Sequence, residues 1–254
     1  NLRLNGSVLG GSPNAGTNNT QITQAVQWQA GNYSFDTFRL ACVSGSCGSI
    51  SVVGGPLHIS ANTIIIDSGA SIIAEELVWG NAGQGTSTAR ASNGKSPGAG
   101  GGGHGGFGGA GGGTNGGVGG HNYGNGSEPG SSGGNVTHTS SGQVSNDANG
   151  GRGGGVIELG ARNIIINGTI SVNGGRGDDG APPASGTGAG GSGAGGGSGG
   201  SIYAIANSVY IGYNAMLSAN GGNGGDGASG AQSGIGIGMH DGGNGGGGGA
   251  GGMV

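Results

Sequence analysis

The sequence predicts an all-β protein with almost no α-helix, built from strand repeats that alternate with glycine-rich excursions. Three observations predict this class. Three segments share one alternating apolar pattern, a glycine-rich stretch follows each of them, and non-glycine residues within those stretches often recur at every third position. Alternation of apolar and polar residues with many β-branched side chains is typical of strands.

The three segments begin at Leu57, Ile157 and Ile202 and superpose when their alanines are aligned. Each reads apolar-x-apolar-x-Ala, then a polar pair, then apolar-x-apolar. A second short strand is predicted after each segment. The aligned positions are Leu57, Ile59, Ala61, Ile64 and Ile66, then Ile157, Leu159, Ala161, Ile164 and Ile166, then Ile202, Ala204, Ala206, Val209 and Ile211. Such units fit coils of a parallel β-solenoid or successive layers of a β-sandwich, because none can bury its apolar face alone.

The glycine-rich excursions occupy about residues 80–155, 174–200 and 221–252, and the chain contains 76 glycines among 254 residues. A polyproline-II helix has three residues per turn. A period of three therefore places side chains on one edge and leaves bare backbone on the other two. The excursions are predicted to pack as polyglycine II helices that pair their backbone groups laterally. A flexible glycine–serine linker is the alternative interpretation.

The stretch from 104 to 126 shows this period most clearly. His104, Phe107 and Ala110 stand three residues apart and are predicted to share one edge. The period breaks at Thr114-Asn115 and resumes with Val118 and His121. The pattern predicts two extended helices joined by a turn.

Residues 1–55 differ from the rest and are predicted to form a β-meander or cap, whereas residues 56–254 form the repeat domain. Aromatic residues stand at strand-like spacing around Gly31-Asn32. The leading residues are either a strand donated to a neighbouring subunit or a frayed terminus.

Cys42 and Cys47 are the only cysteines, and their proximity predicts a local disulfide, with two free thiols as the alternative. A disulfide implies an oxidising, extracellular compartment. The chain starts at Asn1, so a leader removed before position 1, or a partial chain, is expected. Six glycosylation sequons agree with secretion; they begin at Asn5, Asn18, Asn32, Asn125, Asn135 and Asn167.

Candidate chemical sites are weak. Asp179 and Asp226 each lie in a glycine-rich nonapeptide similar to calcium-binding repeats, but that motif works in tandem and a solvated acidic corner is favoured. No catalytic constellation, metal spacing or phosphate loop occurs, so neither an enzyme nor a cofactor is expected. The net charge of −4 offers no basic surface for nucleic acid, and no apolar run approaches the ~20 residues of a membrane span.

The stretch GGGSGGSIYAIANSVYIGYNAMLSANGGNGGDGASG resembles the repeat of glycine-rich secreted surface proteins of prokaryotes. The resemblance covers roughly the last hundred residues well. The polyglycine pattern is also similar to that of phage tail-fibre tip adhesins and of springtail antifreeze proteins. None of these resemblances transfers a functional residue.

The leading hypothesis is a secreted structural protein whose copies assemble head-to-tail into an extracellular filament or surface layer. The alternative is an adhesin that binds a cell-surface receptor or glycan through loops between glycine helices. Its candidate binding residues are Phe107, His121, Tyr123 and His240. Ice binding by a flat, regular face is a third hypothesis.

Overall fold

The computed structural model describes residues 2–3, 19–77, 82–89, 97–137, 147–182, 190–230 and 243–254. These residues contain strands and no helix, so the all-β prediction is confirmed. The strands are β1 (Leu2–Arg3), β2 (Asn19–Ile22), β3 (Ala25–Ser34), β4 (Thr37–Leu40), β5 (Cys42–Val43), β6 (Ser46–Cys47), β7 (Ser49–Ile66), β8 (Ser71–Ile73), β9 (Thr88–Ala89), β10 (Val136–Thr137), β11 (Val156–Ile166), β12 (Thr169–Ser171), β13 (Ser201–Ile211) and β14 (Met216–Ser218).

Ten of the described strands join in one parallel hydrogen-bonded network. We use the term ladder for a set of strand segments that pair side by side. The network contains three ladders, and the long strands β3, β7, β11 and β13 each contribute segments to more than one of them. Ladder A contains residues 31–34, 57–60, 157–160 and 202–205. Ladder B contains 2–3, 19–22, 37–40, 63–66, 163–166 and 208–211. Ladder C contains 25–29, 49–53, 71–73, 169–171 and 216–218.

The three segments aligned from the sequence lie side by side in this network. Ala161 pairs with Ala61 on one side and with Ala206 on the other, which is the register that the alanine alignment predicts. The segments are therefore neighbours within a parallel sheet and not face-to-face layers, as a sandwich would require.

Inward side chains of successive strands form the main core. In ladder B the column of Ile22, Leu40, Ile66 and Ile166 is no more than 1 % exposed. At the N-terminal end the ring of Trp28 stacks on that of Tyr33 with centroids 4.4 Å apart. Burial of such side chains is the main force that holds the strands together.

The N-terminal meander predicted for residues 1–55 is wrong in strand direction. A meander is antiparallel, whereas β2, β3 and β4 all pair in parallel with their neighbours. Strand β7 also runs across the predicted boundary at residue 55. The Gly31-Asn32 turn is a bend within β3, where Gly31 has a φ of 150°. The leading strand β1 pairs with β2 of its own chain.

The predicted disulfide between Cys42 and Cys47 is confirmed. It closes the β5–β6 hairpin, which is antiparallel and stands between ladders B and C. Because β4 and β7 flank this hairpin, the disulfide fixes the corner at which the chain passes from one ladder to the next.

All three glycine excursions leave the network after ladder C and return before ladder A. A backbone hydrogen bond joins the two arms of each excursion at the corner. The amide of Gly155 donates to Ala74, that of Gly200 donates to Val172, and that of Gly252 donates to Ala219, at 2.7, 2.8 and 2.6 Å. Because the corners are stacked by the strands, the excursions project side by side.

Within the excursions, successive backbone amides point to different neighbours with a period of three. In residues 97–104 every third amide donates to the same partner segment, and the three sets of amides reach 106–112, 190–200 and 82–89. The carbonyls of the same residues accept from three further segments. With the amide donor first, the pairs are Gly98–Gly112, Gly101–Gly109, Ala99–Gly193, Gly102–Gly196, Gly100–Thr86 and Gly103–Gly83. The carbonyls of residues 98–102 accept from the amides of Gly117, Gly120, Gly134, Gly247 and Ala250.

Residues 190–200 form a second hub of this kind. Their amides donate to segments 172–182, 130–134 and 243–252, and their carbonyls accept from 97–104, 147–155 and 219–230. Each hub segment therefore has six neighbours. This arrangement satisfies the backbone groups that a buried chain must pair.

Bare backbone is required for this packing. A Cβ atom on Gly100 would lie 2.0 Å from the carbonyl oxygen of Val118, far inside van der Waals contact. In the described parts of the excursions, left-handed glycines are confined to the turns at Gly113, Gly124 and Gly126. The turn predicted at Thr114-Asn115 is confirmed, since Gly116 donates to the carbonyl of Gly113.

We expect Gly100→Ala to lower the free energy of unfolding by about 3 kcal/mol, because the added methyl group forces two hydrogen-bonded segments apart. Gly160→Ala is the matched control, since a Cβ at that strand position meets nothing within 4 Å. Denaturant unfolding of both variants measures the difference. Equal midpoints for the two variants would contradict the close approach of backbones at Gly100.

Candidate functional site

One end of the strand network is open. Among the described strands β13 pairs only with β11, and β14 pairs only with β12. Met253 closes the first residues of β13, because Ile202 donates to its carbonyl at 2.9 Å. Beyond that point the outer edge of β13 has no strand beside it in the described part of the chain. An unpaired edge is a template for another strand.

Inward side chains at this end lack the cover that their equivalents have. In ladder B the position of Ile64 and Ile164 is at most 1 % exposed, but Val209 at the same position is 45 % exposed. The inward Ile211 is 54 % exposed for the same reason. These side chains are placed to pack against a further strand.

Outward side chains extend the apolar surface. We name as the end surface the exposed residues Tyr203, Ile205, Val209, Tyr210, Ile211 and Met216. Residues 201–220 contain no charged side chain and no proline. Charges and prolines are the usual devices that keep an exposed edge from pairing with another chain, and this edge has neither.

The opposite end of the network differs. Val26, Trp28 and Tyr33 of β3 are all buried, although β3 pairs only with β7 among the described strands. The two ends therefore differ among the described residues, since β13 exposes inward apolar side chains and β3 does not.

Two of the predicted binding-loop residues, Phe107 and His121, lie on neighbouring segments, because the amide of Gly108 donates to the carbonyl of Gly120 at 2.8 Å. Phe107 and His121 are exposed, but Tyr123 is partly buried and its hydroxyl donates to the carbonyl of Pro129 at 2.6 Å. His240 lies outside the described residues. The ring of Tyr123 packs against His104, with centroids 5.0 Å apart.

The shared edge predicted for His104, Phe107 and Ala110 is wrong. The chain bends directly after His104, whose amide donates to the carbonyl of Gly106. His104 therefore ends one segment and is completely buried, whereas Phe107 and Ala110 lie exposed on the next segment. Sequence spacing could not reveal this bend, because glycine on both sides permits many paths.

His104 is completely buried among the described glycine segments, whereas His121 is exposed. Its Nδ1 lies 2.8 Å from the carbonyl oxygen of Gly199, so Nδ1 carries the proton and donates it. Its Nε2 has no hydrogen-bond partner. Burial lowers the pKa of His104 below its ordinary value of 6.5, while the hydrogen bond to Gly199 and the charge of Glu128 act in the opposite direction.

The calcium candidates Asp179 and Asp226 contact an arginine. Arg176 Nη2 lies 2.6 Å from Asp179 Oδ1 and 3.0 Å from Asp226 Oδ2. The hydrogen bond from Arg176 lowers the pKa of Asp179. The sequence favours a solvated acidic corner at these aspartates, and the structure places Arg176 in the same corner. In the described ranges, no three His, Cys, Asp or Glu side chains are grouped as a metal site would require.

The sequons differ in accessibility. Asn32 and Asn125 are exposed, whereas Asn135 and Asn167 are half-buried and the Oδ1 of Asn135 accepts a hydrogen bond from the amide of Gly150. Asn5 and Asn18 lie outside the described residues. Asn32 and Asn125 are therefore the more accessible acceptors.

A cleft of about 420 Å³ with polar and apolar lining residues lies in the first excursion. Thr86, Thr88, Thr114, Asn115 and Val118 are among the residues that line it. It is separate from the end surface in sequence and was not anticipated from the sequence.

No family model matches the sequence, no curated protein matches it, and no solved structure matches the chain. The described residues include no helix that could span a membrane.

From the sequence, Val209 and Ile211 stand at apolar positions of the third copy, and the residues of the end surface are not singled out. One signal could have revealed this surface. The segment that begins at Ile202 is the third of the aligned copies, and the printed sequence shows no fourth copy of the pattern.

We expect the free energy of unfolding to fall as the pH drops below about 6.5, because the unfolded chain binds a proton at position 104 that the folded protein resists. The loss levels off below the lowered pKa of the folded state. His104→Gln should reduce this slope, and His121→Gln, at an exposed position, should leave it unchanged. Denaturant titrations between pH 4 and 8 measure it; the same slope in H104Q as in the parent protein would refute the role of His104.

Proposed function

We propose that this protein is a structural subunit that assembles head-to-tail into an extracellular filament or surface layer. The observation that carries the proposal is the open, uncharged apolar end surface on a parallel strand network. Side chains at positions that are buried in β2, β4, β7 and β11 of ladder B are about half exposed in β13. A contact that joins unlike ends generates an open filament unless its rotation closes the copies into a ring.

The order of the ladders supports a solenoid as the underlying fold. From residue 19 to residue 73 the chain runs through ladders B, C and A in a fixed rotation, and after each excursion it resumes in ladder A. We infer a three-sided parallel β-solenoid. Each coil of such a fold buries its face only against its neighbours, so a second copy can continue the stack.

The hydrogen bonding of the excursions supports polyglycine II helices. The period of three in the donors of residues 97–104 and 190–200 matches the three residues per turn of this conformation. A bundle of such helices would stiffen each subunit along one side. Stiffness of this kind suits a structural role.

The disulfide and the exposed sequons support an extracellular location. Disulfides persist in oxidising compartments, and Cys42–Cys47 closes a surface hairpin. The resemblance to glycine-rich secreted surface proteins of prokaryotes points the same way.

We expect Ile211→Lys to weaken assembly. The concentration at which polymers form should rise roughly tenfold or more, because the lysine would be buried at the contact without a partner. Val118→Lys is the matched control, since Val118 is 68 % exposed but lies on a glycine segment away from β13. Light scattering and negative-stain microscopy measure polymer formation. If the parent protein forms no polymers at any concentration, or I211K still forms them normally, the proposal fails.

The cleft in the first excursion favours a second candidate function, that of an adhesin. Its threonine and asparagine side chains supply the hydrogen-bonding groups that orient a polar ligand such as a glycan. The exposed Phe107 adds an apolar contact on the same excursion.

We expect Thr114→Arg to block the cleft and to weaken glycan binding by roughly tenfold or more, because a long side chain replaces a lining residue of a concave site. The test uses a glycan array probed with labelled protein. Phe107→Ser measures the contribution of the exposed ring separately. Binding that is absent in the parent protein, or unchanged in T114R, would exclude this function for the cleft.

A further inference from the structure

The open edge at one end of the network and the first described strand at the other end both belong to ladder B. Met253 bridges to Ser201 beside ladder A. Ladder B follows ladder A in the rotation, and residues 208–211 of ladder B have no strand on their outer side in the described part of the chain. At the other end, the first described strand, β1, belongs to ladder B. The open edge of residues 208–211 and strand β1 therefore occupy the same ladder, so β1 of another copy could extend it.

The register fixes which residues would be neighbours. Leu2 pairs with Thr20, and Arg3 pairs with Gln21. Through successive strands of ladder B these positions correspond to Val209 and Tyr210. A second copy added in the same orientation would therefore place Leu2 beside Val209 and Arg3 beside Tyr210.

The side-chain pattern agrees with this register. Val209 is inward-facing and Tyr210 is outward-facing. The sequence has an apolar residue at position 2 and a basic residue at position 3, the positions that the register places beside them. The equivalent strand in the interior has Phe38 at the inward position and Arg39 at the outward position. The N-terminal sequence thus repeats a pattern that already packs within ladder B.

We propose that β1 of a second copy of this chain adds in parallel to the free edge of β13, with Leu2 beside Val209 and Arg3 beside Tyr210. This inference rests on the proposed function and names the contact through which the copies assemble. The strand would have β2 of its own chain on one edge and β13 of the preceding copy on the other. Main-chain hydrogen bonds would supply affinity, and the inward side chains would supply specificity.

A cysteine pair tests the contact directly. The double variant Arg3→Cys, Tyr210→Cys places one thiol on each end of the subunit. Adjacent strands lie about 4.8 Å apart, a spacing that a disulfide can bridge. Within one subunit the two positions are separated by five strand spacings, or roughly 24 Å, so a disulfide between them must join two copies.

The matched control is Arg3→Cys, Tyr203→Cys, because Tyr203 is exposed on the same end surface but belongs to ladder A. Assembled protein is oxidised and separated on a non-reducing gel. We expect a ladder of covalent oligomers from the Tyr210 pair at roughly tenfold the yield of the Tyr203 pair, because only the former meets the distance requirement.

The possible outcomes are distinguishable. A ladder from the Tyr210 pair above the control supports the contact. Filaments visible by microscopy in both double variants, with no excess of Tyr210 cross-links, would overturn this inference and leave the proposed function standing. If the double variants do not assemble, Leu2→Asp is compared with Leu2→Val in the otherwise unchanged chain. Assembly that survives in L2D as well as in L2V overturns the contact, whereas loss in L2D alone supports it. Absence of polymers from the parent protein overturns both proposals.

Discussion

Close approach of bare backbones is the constraint on which the rest of the structure depends. The hub segments 97–104 and 190–200 each exchange hydrogen bonds with six neighbours. A single methyl group at Gly100 would stand 2.0 Å from a carbonyl oxygen. Ordering glycine costs more conformational entropy than ordering any other residue. Dense lateral hydrogen bonding offsets that cost only where no side chain intervenes, so the glycine content is a packing requirement and not a sign of a tether.

The strand network and the glycine segments depend on each other. A hydrogen bond joins the two arms of each excursion at the corner, and the strands stack these corners at ladder spacing. The strands thereby determine how the glycine segments are aligned relative to one another. The glycine segments in turn connect distant parts of the chain, as in the donation from Ala99 to Gly193. Small side chains are buried among them, including Ala99 and Ala194.

The difference between the two ends follows from the same logic of stacking. A strand in a ladder is covered by its neighbours, so the first and last strands carry the exposed edges. Aromatic side chains fill the N-terminal end, where Trp28 and Tyr33 are buried. At the C-terminal end β13 repeats the inward pattern of β11 and leaves Val209 and Ile211 about half exposed. No further strand lies beside residues 208–211 in the described part of the chain, and residues 201–220 carry no charge.

The sequence by itself determined the all-β class, the alignment of the three strand segments, the Cys42–Cys47 disulfide and the turn at Thr114-Asn115. These features follow from local period and spacing, which a single chain displays directly. Tertiary structure alone decided the parallel direction of the N-terminal strands, the burial of His104 and the exposure of Val209. Each of these depends on which distant segment lies alongside. Residues of one type and spacing are core when a neighbour covers them and surface when none does, so no local pattern can distinguish the two.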